Sequence, residues 1–312
     1  MWKLRASMML TLAIIIGITT LAITIVLNLI GITDLTLIIT TVLLFNVVQW
    51  LFAPYIVDFV YGVREAKPGE LPEIEAMLER LSIEAGIKKP KLMISEMKIP
   101  NAFAYGSPIA GTRVAVTRGL LETLDLSEIE AVLGHELGHI KHKDVQIMMM
   151  VSVLPAIFYW LGRSLMFTGD REERSGAVVG LFCIGIYWIL TLFTLYLSRL
   201  REYYADAFSA KIVPFGAKRL SLALAKIVSA TSSLHLTSGR KLVDSSFKTL
   251  FITDPDRAVR DAVELKALSG DYALVERIKS RNVSLLESVL ELFSTHPNIV
   301  KRLRALERLE YA

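Results

Sequence analysis

Long apolar stretches constrain this chain more than any other feature of its sequence. A helix needs about 20 residues to cross a bilayer, and four stretches of the 312-residue chain are long enough: residues 8–30, 35–57, 145–167 and 177–198. The first is too long for a signal peptide and a second follows it at once; a buried core helix remains an alternative for the third. We therefore predict a mainly α membrane protein with four transmembrane helices and a small β-sheet.

The basic residues that flank these stretches predict the orientation of the chain. Most of them fall on one side of the membrane, whereas the two opposite loops offer only Arg171 and Arg174. Because cytoplasmic flanks are enriched in lysine and arginine, we expect a multi-pass protein of the cell membrane with both termini in the cytoplasm. The flanking residues on the cytoplasmic side are Lys3, Arg5, Arg64, Lys67, Lys141, Lys143, Arg199 and Arg201.

This topology divides the chain into four parts. Residues 1–60 are expected to form an N-terminal transmembrane hairpin, and residues 145–198 a second one. Neither of the polar parts, 61–144 and 199–312, looks complete alone, so we expect them to fold together as one cytoplasmic domain. The helical C-terminal region either scaffolds this domain or covers a cleft. The short elements of the cytoplasmic domain are predicted as strands at 91–96 and 112–116 in its first part and helices at 259–268 and 285–293 in its second.

Charge and cysteine content exclude other classes of protein. The formal net charge is only +4, and the chain has no basic run, glycine-rich phosphate loop or aromatic–basic alternation. We therefore expect no nucleic-acid partner. The single cysteine, Cys183, cannot form an internal disulfide, as is typical of a reducing compartment.

Two histidines spaced four residues apart carry the strongest chemical signal. The helix that contains them is expected to begin with Ser127 as N-cap and Glu130 as its partner in a capping box. His135 and His139 then project from one face and can share one metal ion. Glu136 follows the first ligand, where it can take a proton from a metal-bound water. The alternative is a surface helix with two unrelated histidines.

A catalytic zinc ion usually has three protein ligands and one open position, so a third ligand must come from elsewhere. The best candidate is Glu202, which follows the fourth apolar stretch. Asp206 lies four residues later on the same helical face and can hold a ligand histidine by its other ring nitrogen. An ordinary interfacial helix would explain the same residues. The remaining candidates for the third ligand are His142, His235 and His296.

These motifs resemble those of the HtpX-type membrane metallopeptidases. His-Glu-Leu-Gly-His at 135–139, followed across two apolar stretches by Glu-Tyr-Tyr-Ala-Asp at 202–206, is similar to that family. The family belongs to the gluzincin clan, together with the CAAX prenyl endopeptidases. The resemblance implies a gluzincin-like domain with one Zn²⁺ per chain. It also implies polypeptide substrates, membrane or misfolded proteins at the lipid bilayer, and a role in protein quality control under stress.

Two further motifs extend the resemblance. From the residues alone, segment 101–106 reads as a loop, but it is similar to the family's Asn-Ala-Phe-Ala stretch, implied to be an edge strand that pairs with substrate backbone. His296 in a late His-Pro motif, with Arg302 six residues later, is implied to stabilise the oxyanion of the reaction. The implied substrate-binding residues are Asn101, Ala102, Phe103 and Ala104.

The resemblance leaves two alternatives open, and residues 231–285 match no pattern of the family. A prenyl-protein endopeptidase would use the same zinc chemistry, and a membrane zinc sensor or transporter would cut nothing. Transporters place polar ligands near the bilayer midplane, whereas His139 and Glu202 lie just outside the apolar stretches. At about 1.5 Å per helical residue the zinc would lie within roughly 10 Å of the interface. We therefore expect membrane proteins, or their juxtamembrane segments, as substrates.

Overall fold

The fold is mainly helical with a small sheet, as the sequence predicts. A computed structural model describes residues 34–167, 174–238, 271–294 and 296–310. The expected helix at 259–268 lies outside these residues. Within them the helices are α1 (Leu35–Val60), α2 (Pro72–Ala85), α3 (Arg118–Thr123), α4 (Leu126–Lys141), α5 (Asp144–Phe167), α6 (Arg174–Ile212), α7 (Gly216–Ser238), α8 (Asp271–Ser280), α9 (Leu285–Leu292) and α10 (Ile299–Glu310).

Four strands form one mixed sheet in the order β1–β2–β4–β3. β1 and β2 are antiparallel, β2 and β4 are parallel, and β3 and β4 form an antiparallel hairpin. The strands predicted at 91–96 and 112–116 are confirmed. Segment 101–106 lies at the edge of the sheet, as the resemblance implies and contrary to the loop expected from the residues alone. The strands are β1 (Val63–Glu65), β2 (Lys91–Ser95), β3 (Ala102–Ser107) and β4 (Gly111–Thr117).

Helix α4 lies at the centre of the polar part of the molecule. It packs against α2, α6, α7 and strand β3, and all of residues 128–139 are buried. Buried charges need partners: the Glu128 carboxylate pairs with Lys226 at 2.7 Å, and that of Glu130 pairs with Arg219 at 2.9 Å. One hydrophobic core therefore contains residues from both predicted polar parts of the chain.

The start of α4 corrects one prediction, because Ser127 is not the N-cap and Glu130 does not complete a capping box. The Asp125 carboxylate accepts from the Glu128 N–H at 2.9 Å, and the Glu128 carboxylate accepts from the Asp125 N–H at 3.0 Å. The Ser127 hydroxyl instead donates to Asp125 Oδ1 at 2.7 Å. Aspartate caps as well as serine does, and its negative charge also suits the helix N-terminus.

Two helices in the described ranges are long and apolar enough to cross a membrane. They cover Ile39–Val60 in α1 and Val178–Ile212 in α6. Helix α1 exposes most of its large apolar side chains, as expected of a helix that faces lipid. The predicted span 8–30 lies outside the described residues. The predicted span 145–167 lies in α5, which is not one of these two helices, so four spans remain a prediction.

Helices α5 and α6 pack closely and bring the polar end of α6 beside the end of α4. A Cβ atom on Gly162 of α5 would lie only 2.8 Å from the carbonyl oxygen of Gly180 in α6. Small residues at such contacts allow two helix backbones to approach. At the other end of the pair, Arg201 forms an ion pair with Asp144 and donates to the His142 carbonyl oxygen at 2.8 Å.

Candidate active site

Two glycines of α4 let α6 approach the face that carries the histidines. A Cβ atom on Gly134 would lie 3.2 Å from Ser209 Oγ, and one on Gly138 would lie 3.2 Å from the Cα of Ala205. Both distances are tighter than ordinary packing, so larger residues would push the helices apart. The Ser209 hydroxyl also donates to the Ala131 carbonyl oxygen at 2.6 Å. This contact sets the carboxylates of α6 opposite the histidines of α4.

His135, His139 and Glu202 come together in the buried interior. Their ligand atoms all lie within 4.8 Å of one another. The two Nε2 atoms of the histidines are 2.9 Å apart, and His139 Nε2 is 3.3 Å from Glu202 Oε1. Their side chains are at most 3% exposed. The group can hold one metal ion, with two nitrogen ligands and one carboxylate oxygen.

Each candidate ligand histidine is oriented by an aspartate on its other ring nitrogen. His135 Nδ1 lies 2.7 Å from Asp206 Oδ1, the pairing that the sequence predicts. His139 Nδ1 lies 2.7 Å from Asp144 Oδ2. When Nδ1–H donates to the carboxylate, the Nε2 lone pair is left for the metal. Burial, followed by the charge of Arg302, lowers the pKa of His135 well below its usual range, which also favours the neutral ring.

Sequence reasoning missed Asp144. The residue stands five positions after His139 in a charged segment that reads as a solvated membrane flank. In the structure its side chain is only 1% exposed, and Arg201 lies against it. The signal that could have identified it is chemical: a second ligand histidine also needs a partner for Nδ1.

Arg302 lies behind the ligands and binds both carboxylates of α6. Its Nε and Nη2 atoms donate to Asp206 at 2.6 and 2.5 Å, and Nη1 lies 3.1 Å from Glu202 Oε2. Its side chain is 2% exposed. A planar guanidinium with several donors suits two neighbouring carboxylates. The geometry supports a role in holding Asp206 and Glu202, and the stabilisation of the oxyanion by Arg302 stays a prediction.

His296 also reaches the site, although it lies far along the chain from the other candidates. Its ring is buried, and Nδ1 lies 3.8 Å from Glu202 Oε2. The turn between α9 and α10 brings it there, with its backbone N–H donating to Ser294 Oγ at 3.3 Å. The late His-Pro motif is thus placed beside the metal-binding group.

Glu136 faces both this group and the sheet. Its side chain is fully buried. Burial and, next, the Glu202 carboxylate raise the pKa of Glu136 well above its usual range, while the backbone N–H of Ala104 lowers it. Because Ala104 belongs to edge strand β3, Glu136 stands between that strand and the candidate ligands.

His142 and Asn101 are not part of the ligand group. The alternative ligand His142 ends α4, and its ring packs against Phe208, with 5.6 Å between ring centroids. His235 belongs to α7, and its side chain lies outside the described part of the structure. Asn101 precedes β3, and its backbone N–H donates to Thr117 Oγ1 at 2.9 Å, which anchors the start of the strand.

The fold and this site define the protein as a membrane-bound metallopeptidase. A model of peptidase family M48 matches residues 68–310, and the chain belongs to that family. The chain is 43% identical over 272 residues to a Protease HtpX homolog of Aeropyrum pernix, covering 84% of this chain and 82% of the relative. It is 38% identical to a Protease HtpX homolog of Thermoplasma acidophilum, covering 86% and 83%. The resemblance to HtpX-type metallopeptidases is therefore confirmed.

A solved structure shows the same fold. The crystal structure of S. mikatae Ste24p matches with a TM-score of 0.53 at 20% identity, over 95% of this chain and 64% of that chain. The chain thus spans less than two thirds of the length of Ste24p, and at this identity the likeness concerns the fold alone.

Proposed function

We propose that this metallopeptidase hydrolyses peptide bonds of membrane or misfolded proteins at the cytoplasmic face of the cell membrane, in protein quality control. One observation carries the proposal: α6 is a single helix, Arg174–Ile212, that contains both a candidate span and the site carboxylates. Glu202 follows Ser198, the end of the predicted span, by four residues, or about 6 Å of helix. Membrane-anchored chains would therefore reach the site most easily.

The proposed topology has four spans, with residues 61–144 and 199–312 as one cytoplasmic domain. The core shared by the two polar parts supports a single domain. Arg199 and Arg201, at the polar end of α6, support the orientation, because arginine is enriched in cytoplasmic flanks.

We propose Zn²⁺ as the metal, held by His135, His139 and Glu202. Two imidazole nitrogens and one carboxylate oxygen, with a fourth position open, are typical of catalytic zinc. The fit is supported by the convergence of the ligand atoms within 4.8 Å and by the aspartate on each Nδ1. When bound, zinc supplies Lewis acidity, which makes a water molecule more acidic and polarises the scissile carbonyl.

Glu136 is the proposed general base. Its carboxylate takes a proton from the attacking water and passes it to the leaving amine. Burial raises the pKa of this carboxyl, but a divalent cation at the neighbouring ligands acts in the opposite direction and favours the charged form. His296 is proposed to donate to the oxyanion, and Arg302 to hold Asp206 and Glu202 in place.

Strand β3 is the proposed substrate-binding strand. One of its sides pairs with β4, and α4 lies close to it. An extended peptide that added to its other side would pass next to Glu136, where cleavage is expected. The residues proposed to contact substrate are Asn101, Ala102, Phe103 and Ala104.

Neither alternative gains support. A zinc sensor or transporter does not agree with membership in a peptidase family. A prenyl-protein endopeptidase would use the same site, and the likeness to Ste24p, which concerns the fold alone, does not favour it.

The decisive experiment compares the parent protein with Glu136→Gln, each stripped of metal and titrated with zinc. We expect both to bind one zinc ion, while cleavage of a detergent-solubilised unfolded polypeptide falls about 10²–10⁴-fold in the variant. Glu122→Gln, at an exposed position of α3, is the control and should cleave at the parent rate. Undiminished cleavage by Glu136→Gln would exclude Glu136 as the base.

The membrane preference has its own test. One unfolded sequence is offered to the parent protein in liposomes, either free in solution or fused to a transmembrane anchor in the same liposomes. The anchored form should be cleaved faster. Equal rates for the two forms would contradict the proposed substrate class without affecting the peptidase chemistry.

A further inference from the structure

Helix α9 and the residue after it turn their apolar side away from the protein. Leu285 is 88% exposed, Leu286 69% and Phe293 54%. Apolar side chains on a helix of a water-soluble domain normally point into the core. The exposed set, called here the apolar face of α9, consists of Leu285, Leu286, Val289, Leu290, Leu292 and Phe293.

Glu291 of α9 points inward instead. Glu291 is buried, and its carboxylate accepts from the Asn298 N–H at 3.1 Å and from Lys301 Nζ at 2.5 Å. Glu287 is 27% exposed and caps the start of the helix, where its carboxylate accepts from the Ser284 N–H at 2.7 Å. Helix α9 therefore turns apolar side chains outward and a carboxylate inward, which is the reverse of the pattern on a helix at the surface of a water-soluble domain.

Contacts with Arg199 place α9 at the level where the apolar part of α6 ends. The Arg199 guanidinium donates to the carbonyl oxygens of Glu291, Leu292 and Ser294 at 2.5, 3.0 and 2.9 Å. It also lies over the ring of Tyr196, 5.7 Å from the centroid. Arg199 immediately follows the predicted span 177–198, so the C-terminal end of α9 is attached at the membrane boundary.

The side of α6 next to this attachment is itself apolar and exposed. Tyr196, one turn before Arg199, is 52% exposed, and Phe193, a further turn back, is 66% exposed. An aromatic residue with a polar end at this level is typical of the membrane interface. Arg199 thus links the apolar face of α9 to an exposed apolar surface of α6.

We propose that the apolar face of α9 lies in the headgroup region of the bilayer and that lipid is its partner. A helix with one apolar and one polar side takes this position parallel to the membrane plane. Glu291 then contacts protein, and the outward leucines leave water. His296 follows the end of α9 by four residues, so the contact with lipid also fixes one end of the segment that carries this residue. That consequence rests on the proposed function.

The test measures the environment of one residue in the full chain, reconstituted into phosphatidylcholine liposomes. Leu290→Cys, in a Cys183→Ala background, is labelled with a nitroxide, and EPR compares its accessibility to oxygen and to a water-soluble nickel chelate. Leu126→Cys is the matched control, because both leucines are 41% exposed. Leu126 begins the 16-residue helix α4, about 24 Å along that helix from the end next to α5.

We expect the ratio of oxygen to nickel accessibility to be severalfold higher at position 290 than at position 126. A label at 290 that nickel reaches as easily as at 126 would place α9 in water and overturn the proposal. Low accessibility to both reagents would show that residues 239–270 or a second copy of the chain covers the face, which would also overturn it. The measurement needs no catalysis, so a failure of the proposed peptidase mechanism would not affect its outcome.

Discussion

Each candidate ligand histidine is held by a series of contacting side chains, histidine–aspartate–arginine. The two series have the same composition but are built in different ways. At His135 the order is histidine, Asp206, Arg302, and these residues come from three helices far apart in sequence. At His139 the order is histidine, Asp144, Arg201, and the aspartate is only five residues away. Both series hold an imidazole by Nδ1, so they should contribute alike to metal binding.

They differ in how completely the arginine is enclosed. Arg302 is 2% exposed and binds carboxylates with three of its donors. Arg201 is 12% exposed, and it also donates to a backbone carbonyl at the end of α4. A buried charge that loses its partner is costly, whereas one nearer the surface recovers solvent. The two aspartates should therefore orient their histidines equally well, whereas Asp206, beside the more enclosed arginine, should contribute more to the stability of the fold.

The largest expected effect is on stability. Asp206→Ala should lower the free energy of unfolding of the metal-free protein by about 3–5 kcal/mol, because Arg302 keeps only Glu202 as a partner. Asp144→Ala should lower it clearly less. Denaturant unfolding in detergent micelles measures both. Equal losses would mean that the enclosure of the arginine does not decide the cost.

A smaller effect is expected on metal affinity, and it should be the same for the two histidine–aspartate–arginine series. Asp206→Asn and Asp144→Asn should each weaken zinc binding by about 10–100-fold, because each weakens the acceptor for an Nδ1–H. Competition with a chelator measures the affinity. Glu128→Gln is the control: Glu128 lies on α4 with the two histidines but pairs with Lys226, so the variant should bind zinc as the parent does. A loss for only one aspartate would break the equivalence of the two histidines.

The smallest effect is expected for a partly exposed arginine–carboxylate pair, Arg64 with Glu70. Arg64 donates to Glu70 at 2.8 and 2.6 Å. This hydrogen bond, followed by the one from the Lys67 backbone, lowers the pKa of Glu70 to about 2. A lowered carboxyl pKa stabilises the fold above the unfolded value, 4.5, and this stabilisation is lost as the pH falls towards 2.

Glu70→Gln should therefore lower the Tm slightly at pH 7, and the difference from the parent should shrink as the pH falls below 4.5. Thermal unfolding at pH 7 and at stepwise lower pH measures it. A difference that grows on acidification would show that the carboxylate is not stabilised by Arg64.

Much of the site could be predicted because its residues follow from local rules. The spacing of His135 and His139 is helical, and the need for a third ligand directed attention to Glu202. Asp206 followed from the same helical spacing. The predicted N-cap of α4, Ser127, was wrong by two residues, because several polar residues at a helix start compete for the same N–H groups. Asp144 was missed because its segment reads equally well as a solvated flank.

By itself, the sequence determined the apolar stretches, the metal-binding motif and the family, because helical periodicity and ligand spacing are properties of short segments. Only the tertiary structure decided that Arg302 binds the two carboxylates of α6 and that α9 turns its leucines outward. Each of these depends on contacts between residues far apart in the chain. Such contacts are set by how the helices pack, as at Gly134 and Gly138, and not by the preferences of any one segment.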